Sequence, residues 1–305
     1  MQISNLLNDL DEKPWEFIRE AGRIREENFG PDVDACSIIN ARSGNCPEDC
    51  AFCAQSAHHA ARLRTYPLLP EDEVIPAAKR VFDNGVRRFC IVTSGRGIGS
   101  EKELSSIARM VEKVREIGFK PCATLGALSL YQLRTLKGAG LHRYHHNLET
   151  SRSFFPRICS THTYDERIET LLAAKEAGLS TCSGGIFGMG EGMPDRAEMA
   201  SELARLGVDS VPVNFLMPIP GTPLEDADFI TPLEALKSIA LVRHILTEKE
   251  IRVCGGRLTA LRELHPMVFL AGANGILMGD YLTTSGRNFE DDLRMIKDLG
   301  MRLHG

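Results

Sequence analysis

Short β-branched segments alternate with longer amphipathic segments along most of the chain, and this alternation constrains the fold more than any other feature. The two periodicities predict eight strands and eight helices. The predicted strands are 33–40, 87–93, 119–125, 143–148, 179–187, 210–216, 251–254 and 275–278. The predicted helices are 71–84, 101–117, 129–138, 164–177, 194–206, 231–246, 264–271 and 288–302. Strands that alternate with helices form a parallel sheet, so we expect an α/β fold.

Eight strand–helix units predict a closed (β/α)8 barrel of the TIM type. The alternative is an open, doubly wound sheet, which would need a phosphate-binding fingerprint directly after its first strand. A cysteine-rich loop follows the first strand instead. In a closed barrel the functional side chains lie at the carboxyl ends of the strands, so we expect the functional site there.

The segment 14–29 before the first strand has apolar residues at helical spacing, with Pro14 suited to a first turn and Gly30 to a helix end. It predicts an N-terminal helical extension. No low-complexity linker or break in composition interrupts the rest of the sequence. We therefore predict a single domain over 1–305, in which 1–32 form the extension and 33–305 form the barrel.

The composition is that of a soluble protein with a sizeable core, since 43% of the residues are hydrophobic and 25% are charged. The net charge of −5 argues against a non-specific nucleic-acid or membrane surface. The first residues lack the basic start and long apolar centre of a signal peptide, which predicts a cytoplasmic location. In that reducing compartment the nine cysteines are expected to be ligands or buried thiols rather than disulfides.

Three cysteines after the first strand have the spacing C-x3-C-x2-C, namely Cys46, Cys50 and Cys53. Thiolates on one short loop can converge on an iron–sulfur cluster, on zinc or on Cu(I). A structural zinc site would need a fourth ligand at short spacing, and His58 and His59 follow the last cysteine too closely to be good candidates. An iron–sulfur cluster held by three thiolates would leave one iron free to bind a substrate or cofactor.

The cysteine loop resembles the radical SAM motif, in which an aromatic residue, here Phe52, precedes the third cysteine. The wider segment 46–56 resembles the biotin synthase family specifically, and similar strings continue from about residue 36 to residue 300. The resemblance implies that the three loop cysteines hold a [4Fe–4S] cluster. It also implies that the open iron of this cluster chelates S-adenosylmethionine.

Four further cysteines lie in separate predicted strands, namely Cys90, Cys122, Cys182 and Cys254. A single buried cysteine is usually a small apolar residue, but four in one barrel can converge on a second metal centre. The resemblance implies an auxiliary iron–sulfur cluster, [2Fe–2S] or larger, held by Cys90, Cys122, Cys182 and Arg257. The family usually has serine at the position of Cys254, so Cys254 competes with Arg257 for the fourth ligand position. We favour Cys254, because a guanidinium must lose a proton to bind iron.

The resemblance also implies a pocket for S-adenosylmethionine. It assigns Ile186 to adenine packing, Glu149 to the ribose hydroxyls and Arg167 to the methionine carboxylate. Glu149 replaces the usual aspartate and moves the acceptor outward by one methylene group. Without the resemblance, Arg167 would be a solvated helix charge, and the glycine run 185–191 would be a weak match to a phosphate loop.

Two asparagines and two threonines resemble the substrate ligands of the family. Asn147 and Asn214 correspond to ligands for the ureido ring of dethiobiotin, and Thr283 and Thr284 lie where the family contacts the carboxylate tail. A cyclic urea has two N–H donors and one carbonyl acceptor, and carboxamides can bind both. The alternative for either asparagine is a structural role in which the amide satisfies backbone groups.

Taken together, the resemblance implies a biotin synthase activity, in which a 5′-deoxyadenosyl radical activates dethiobiotin and the auxiliary cluster supplies the sulfur. It further implies a flavodoxin- or ferredoxin-like electron donor and a homodimer. Two other functions remain open. One is a radical SAM enzyme that acts on another small substrate, and the other is an iron–sulfur electron-transfer or scaffold protein.

Overall fold

The computed structural model describes residues 3–304, and its strands run parallel around a closed barrel. In chain order they are β1 (Asp32–Arg42), β2 (Arg88–Thr93), β3 (Lys120–Thr124), β4 (Arg143–His145), β5 (Ser180–Cys182), β6 (Gly185–Phe187), β7 (Ser210–Phe215), β8 (Glu250–Val253), β9 (Gly275–Leu277) and β10 (Arg302–Leu303). The sheet closes because β1 pairs with both β2 and β9. Since β5 and β6 together fill one position beside β7, the barrel has eight positions. The predicted (β/α)8 fold is confirmed.

The strand predicted at 179–187 is divided into β5 and β6 by a close approach of backbones. A Cβ atom on Gly184 would lie 1.9 Å from the carbonyl oxygen of Pro212, and one on Gly185 would lie 2.3 Å from that of Glu149. Only glycine fits such contacts. The break allows the chain to pass close to β7 and to the end of β4, where the candidate site lies.

Helices surround the barrel, and several of them begin at a side-chain cap. They are α1 (Ile3–Glu12), α2 (Pro14–Phe29), α3 (Glu71–Asp83), α4 (Glu101–Ile117), α5 (Leu130–Gly138), α6 (Tyr164–Glu176), α7 (Met193–Leu206), α8 (Pro232–Ile245), α9 (Arg257–Leu261) and α10 (Phe289–Asp298). Thr163 and Glu166 form a capping box at the start of α6. The helix predicted at 264–271 is wrong, because Arg262–Val268 form a 3-10 helix that contains Pro266. Proline lacks the amide hydrogen that an α-helix interior requires.

The predicted N-terminal helix corresponds to α2, and the shorter helix α1 precedes it. Helix α2 packs on α8 through Phe17, whose ring centroid lies 4.0 Å from that of His244. A Cβ atom on Gly22 would lie 2.4 Å from the carbonyl oxygen of Leu270, so a glycine is needed at this contact. In the part of the chain that the structure describes, no helix is both long and apolar enough to cross a membrane.

A buried network of charges closes the amino end of the barrel. Three arginines from β2, β4 and β8 meet two carboxylates, and the five residues are Asp34, Arg88, Arg143, Glu250 and Arg252. Arg143 Nη1 lies 2.5 Å from Glu250 Oε2, and Arg88 Nε lies 3.1 Å from Asp34 Oδ2. Because three cations face two anions, the network carries an excess positive charge directly below the barrel interior.

Candidate active site

A cavity of about 330 Å³ lies inside the barrel above this charged network. Its walls are formed by inward-facing side chains at alternate positions of the strands, as the two-residue period requires. Arg143 and Arg252 lie at its floor, a group of thiols lies above them, and polar side chains from β4 and β7 follow. The cysteine loop and residues 281–284 line the mouth at the carboxyl ends of the strands. The site therefore lies at the end of the barrel where it was expected.

Five buried thiols line the deeper part of the cavity: Cys36, Cys90, Cys122, Cys182 and Cys254. Four of them were predicted to converge, and the structure brings all four to this cavity. Cys90 and Cys122 are register partners on the neighbouring strands β2 and β3. The fifth thiol, which belongs to Cys36 on β1, packs against Cys254 and Leu277. Five soft donors around one enclosed space form a donor set that fits an iron–sulfur centre.

Three of the inner thiols favour a neutral state without a cation. Burial raises the pKa of Cys122 to about 11, and it also raises the pKa values of Cys90 and Cys182. A hydrogen bond with Cys254 lowers the pKa of Cys36 to about 7, although burial opposes this change. Thiolates at these positions therefore need a compensating positive charge, which iron would supply in addition to the arginines of the floor.

The structure corrects the prediction that Arg257 lies beside the inner cysteines. Arg257 is fully buried outside the cavity, where Nη2 donates to Asp292 Oδ2 at 2.5 Å and Nε donates to the hydroxyl of Tyr281 at 3.2 Å. Arg252 lines the cavity instead. Cys254 directly follows β8 and lies two residues after Arg252, so both side chains point inward, whereas residue 257 lies at the start of α9. The strand period could have identified Arg252 from the sequence.

The cysteine loop is held over the mouth of the cavity by backbone hydrogen bonds. The amide of Cys46 donates to the carbonyl of Gln55 at 2.9 Å, and the amide of Cys53 donates to that of Cys50 at 2.9 Å. Phe52 and Cys53 line the cavity. Burial, together with the negative charge that Cys46 can carry, raises the pKa of Cys53 to about 11. As with the inner set, these thiols suit a cationic metal centre.

The two histidines that follow the loop support it through carbonyl groups rather than through the thiols. His58 Nε2 lies 2.9 Å from the carbonyl oxygen of Pro47, and His59 Nε2 lies 3.0 Å from that of Cys50. The Nε2 atom of each histidine is therefore engaged with the backbone. This arrangement weighs against a closed zinc site made by the loop and these histidines.

Arg167, Glu149 and Asn147 form a connected polar group between the loop and β4. Arg167 Nη1 donates to the carbonyl of Asn147 at 2.8 Å and lies 3.6 Å from Glu149 Oε1. Its Nη2 lies 3.9 Å from Cys50 Sγ. Arg167 is buried, so it is not a solvated helix charge. Burial raises the pKa of Glu149, and Arg167 opposes that rise.

Both predicted substrate asparagines are partly engaged by the protein. Asn147 Oδ1 accepts from His145 Nε2 at 2.6 Å and from the amide of Gly184 at 3.1 Å. Asn214 Nδ2 donates to the carbonyl of Gly185 at 3.1 Å, and its Oδ1 accepts from the amide of Gly255 at 2.9 Å. Each NH₂ group has a second hydrogen, and both side chains line the cavity. These bonds fix the amides in position and leave donors for a ligand.

The remaining predicted contacts lie around the mouth. Ile186 lines the cavity near Phe52, and Thr283 and Thr284 lie on the exposed rim. The glycine run does not form a phosphate loop, because the amides of Gly188 and Met189 donate to the carboxylate of Glu191.

Sequence reasoning missed His145. Its Nδ1 accepts a hydrogen bond from the hydroxyl of Thr124 at 2.8 Å, and its Nε2 donates to Asn147, so the histidine orients that asparagine.

Comparison with known proteins agrees with this geometry. The Radical SAM superfamily matches residues 41–203, and the Biotin and Thiamin Synthesis associated domain matches residues 212–302. Among solved structures, methylornithine synthase (PylB) superposes with a TM-score of 0.87 over 100% of this chain and 94% of that chain, at 19% identity. The hydrogenase maturase HydG from Carboxydothermus hydrogenoformans gives 0.80 over 94% and 71%, at 17% identity. The barrel and its three-cysteine loop are those of a radical SAM protein.

Two relatives identify the family within the radical SAM proteins. The biotin synthase of Trichlorobacter lovleyi is 53% identical over 92% of this chain and 85% of that protein. The biotin synthase of Heliobacterium modesticaldum is 53% identical over 93% of this chain and 87% of that protein. The chain belongs to the biotin synthase family.

Proposed function

We propose that this protein inserts sulfur into dethiobiotin to form biotin, with S-adenosylmethionine as the source of the radical. The observation that carries the proposal is one cavity with two thiol sets, three cysteines on the loop at its mouth and a larger group near its floor. When bound, a [4Fe–4S] cluster on the loop supplies the electron that cleaves S-adenosylmethionine, and an auxiliary cluster supplies the sulfur. The protein's own task is to position the reactants and to exclude others.

The polar group at the mouth suits the S-adenosylmethionine position. We assign Arg167 to the methionine carboxylate, since its guanidinium is buried and lies beside Cys50 of the loop. Glu149 faces the same space and can accept hydrogen bonds from ribose hydroxyls. Ile186 and Phe52 give the apolar surface against which an adenine ring can pack. These contacts support a cofactor position between the loop and β6.

We assign the space below this cofactor to dethiobiotin. The free amide hydrogens of Asn147 and Asn214 suit the carbonyl oxygen of the ureido ring. Thr283 and Thr284 on the rim suit the carboxylate at the other end of the substrate. In this arrangement the reacting carbons lie between the two thiol sets, and the apolar walls formed by Ile38 and Val92 keep water away from the radical.

For the auxiliary cluster we propose Cys90, Cys122 and Cys182 as three ligands and Cys254 as the fourth. Arg252 is the competing candidate that the geometry offers in place of Arg257. Its guanidinium is already paired with Asp34 and lies 3.3 Å from Ser210 Oγ. A guanidinium that neutralises a buried carboxylate is poorly available to lose a proton to a metal. Cys254 has no such commitment to a charged group.

The matched families also support a proposal about organisation. The first matched region contains β2–β6, the second contains β8, β9 and most of β7, and these strands close one sheet with β1, which supports a single barrel domain with an N-terminal helical extension. We further propose a flavodoxin- or ferredoxin-like electron donor, a homodimer and a cytoplasmic location, as the family resemblance implies.

The test is anaerobic reconstitution with iron and sulfide, followed by incubation with S-adenosylmethionine, a strong reductant and dethiobiotin. We expect 5′-deoxyadenosine and biotin to form together, and omission of dethiobiotin to abolish biotin. Formation of 5′-deoxyadenosine without biotin would indicate a radical SAM enzyme with another substrate. Absence of both products from protein with a full iron content would indicate an electron-transfer or scaffold protein.

A further inference from the structure

A second group of metal-ligating side chains lies beside the cysteine loop and outside the cavity lining. It consists of Cys50, Cys159 and His162, and one ligand atom from each lies within 4.8 Å of the other two. The Sγ atoms of Cys50 and Cys159 are 3.8 Å apart. His162 Nε2 lies 3.8 Å from Cys159 Sγ. Both cysteines are buried, so these contacts belong to the packed interior of the protein.

The distance between the two sulfur atoms matches an edge of a tetrahedral metal site. With metal–sulfur bonds of about 2.3 Å and metal–nitrogen bonds of about 2.0–2.1 Å, tetrahedral geometry requires sulfur–sulfur edges of about 3.8 Å and sulfur–nitrogen edges of about 3.6 Å. The observed sulfur–sulfur distance of 3.8 Å equals such an edge, whereas Cys159 Sγ lies 3.2 Å from Nδ1 and 3.8 Å from Nε2 of His162. A single cation therefore fits against the two sulfur atoms, and the imidazole has to turn so that Nε2 points at it.

A carboxylate orients the histidine for this role. Nδ1 of His162 donates to Glu48 Oε2 at 2.5 Å, which leaves Nε2 free for a metal. Glu48 is itself fixed by Thr161, whose hydroxyl donates to the same carboxylate oxygen. Metal-bound histidines in proteins usually donate their second N–H to a carboxylate or carbonyl in this way. The group thus has the ligands and the supporting hydrogen bonds of a built metal site.

The surrounding charges also favour a divalent cation. Asp49 and Glu48 contribute negative charges, and Arg96 and Arg167 contribute positive charges close to the same group. The two arginines also pair with Glu149 and Glu166, so the surroundings carry no excess positive charge that would neutralise two thiolates. A divalent ion would neutralise them, which lowers the cost of burying them.

We propose that Cys50, Cys159 and His162 bind one borderline-soft divalent cation, Zn²⁺ or Fe²⁺, when the loop carries no iron–sulfur cluster. Two thiol protons leave to solvent as the cation binds. Cys50 also belongs to the set assigned to the [4Fe–4S] cluster, so the single cation and that cluster exclude each other. This exclusion rests on the proposed function, whereas the binding of the cation by itself does not.

The test is an anaerobic titration of reduced, cluster-free protein with Co²⁺, whose visible spectrum reports tetrahedral thiolate coordination. Relative to the wild type, Cys159→Ser and His162→Gln are each expected to bind one Co²⁺ fewer, and Glu48→Gln to bind it about tenfold to hundredfold more weakly. The matched control is Cys53→Ser, which removes a thiol of the loop but not of this site, and it is expected to retain the ion.

Two results would overturn the proposal. The first is an unchanged Co²⁺ count in both Cys159→Ser and His162→Gln, each checked for folding by circular dichroism. The second is loss of the same ion in Cys53→Ser, which would assign it to the three loop cysteines. After reconstitution of the loop cluster, the wild type is expected to bind one Co²⁺ fewer, and an unchanged count would overturn the exclusion. Failure to cleave S-adenosylmethionine would contradict the proposed function and would leave the Co²⁺ result intact.

Discussion

Arg252 on β8 and Cys254 directly after β8 both face the cavity, and the arginine pairs with Asp34 while the cysteine contacts Cys36. This relationship separates the two candidates for the fourth ligand of the auxiliary cluster. The arginine is part of the charged floor, and the cysteine is part of the thiol group above it. Arg252 therefore balances charge at the floor of the cavity, whereas Cys254 remains available to bind a metal.

Cys254→Ser is expected to lose iron from the auxiliary cluster and to lose biotin formation, because a hydroxyl is a much weaker iron ligand than a thiolate. Cleavage of S-adenosylmethionine at the loop should continue. Iron and sulfide counting with Mössbauer spectra of anaerobically reconstituted protein would measure the change. A normal iron count with a normal biotin yield would make Cys254 a packing residue and would favour Arg252.

Replacement of any loop cysteine by alanine, in Cys46→Ala, Cys50→Ala or Cys53→Ala, is expected to abolish cleavage of S-adenosylmethionine. A cluster that has three protein ligands cannot lose one and keep its position. Release of 5′-deoxyadenosine is the measurement. The contrasting variant is Cys122→Ala, which should lose biotin formation but still release 5′-deoxyadenosine. Cleavage that survives in any of the three loop variants would contradict the assignment of the cluster.

Asn214→Leu is expected to weaken the binding of dethiobiotin and to leave the iron–sulfur spectra unchanged. The leucine cannot donate to the ureido carbonyl, and it also removes the bonds to Gly185 and Gly255. Binding should be measured by equilibrium dialysis, together with the melting temperature, so that a loss of stability is recognised. Unchanged affinity would show that Asn214 only joins β6 to the segment after β8.

Arg257→Met is expected to destabilise the protein rather than to alter its iron content. The variant leaves Asp292 as a buried carboxylate without its closest cation, and breaking such a pair typically costs about 3–5 kcal/mol. Denaturant unfolding of cluster-free protein would measure the loss. Selective loss of auxiliary-cluster iron with unchanged stability would restore Arg257 as a ligand.

Glu250 is expected to make the stability of the barrel sensitive to acid. Burial raises the pKa of its carboxyl, but the hydrogen bond from Arg143 and the charges of Arg252 and Arg88 outweigh burial and hold the pKa well below its usual range. A depressed pKa contributes stability above the pKa of the unfolded chain, about 4.3, and loses it as the pH falls further. The difference in unfolding free energy between wild type and Glu250→Gln should therefore shrink below about pH 4. A constant difference down to pH 2 would contradict this account.

Local sequence determined the chemistry and the class of fold. Three cysteines within eight residues can meet on one loop whatever the rest of the chain does, and the alternation of strands and helices specifies a parallel barrel. Because strand side chains alternate, cysteines in the predicted strands 87–93, 119–125, 179–187 and 251–254 could also be expected to face one interior. These features depend on spacing within a segment, which can be read directly from the sequence.

Tertiary structure alone decided which partners these residues have. Cys50 and Cys159 are separated by 109 positions in the chain, and only the closure of the barrel brings their sulfur atoms together. The ion pair of Arg257 with Asp292 likewise joins the start of α9 to α10, and it removes from the cavity an arginine that the sequence had suggested as a ligand. Local periodicity fixes the direction in which a side chain points, whereas its contacts depend on the packing of distant elements, which no short segment encodes.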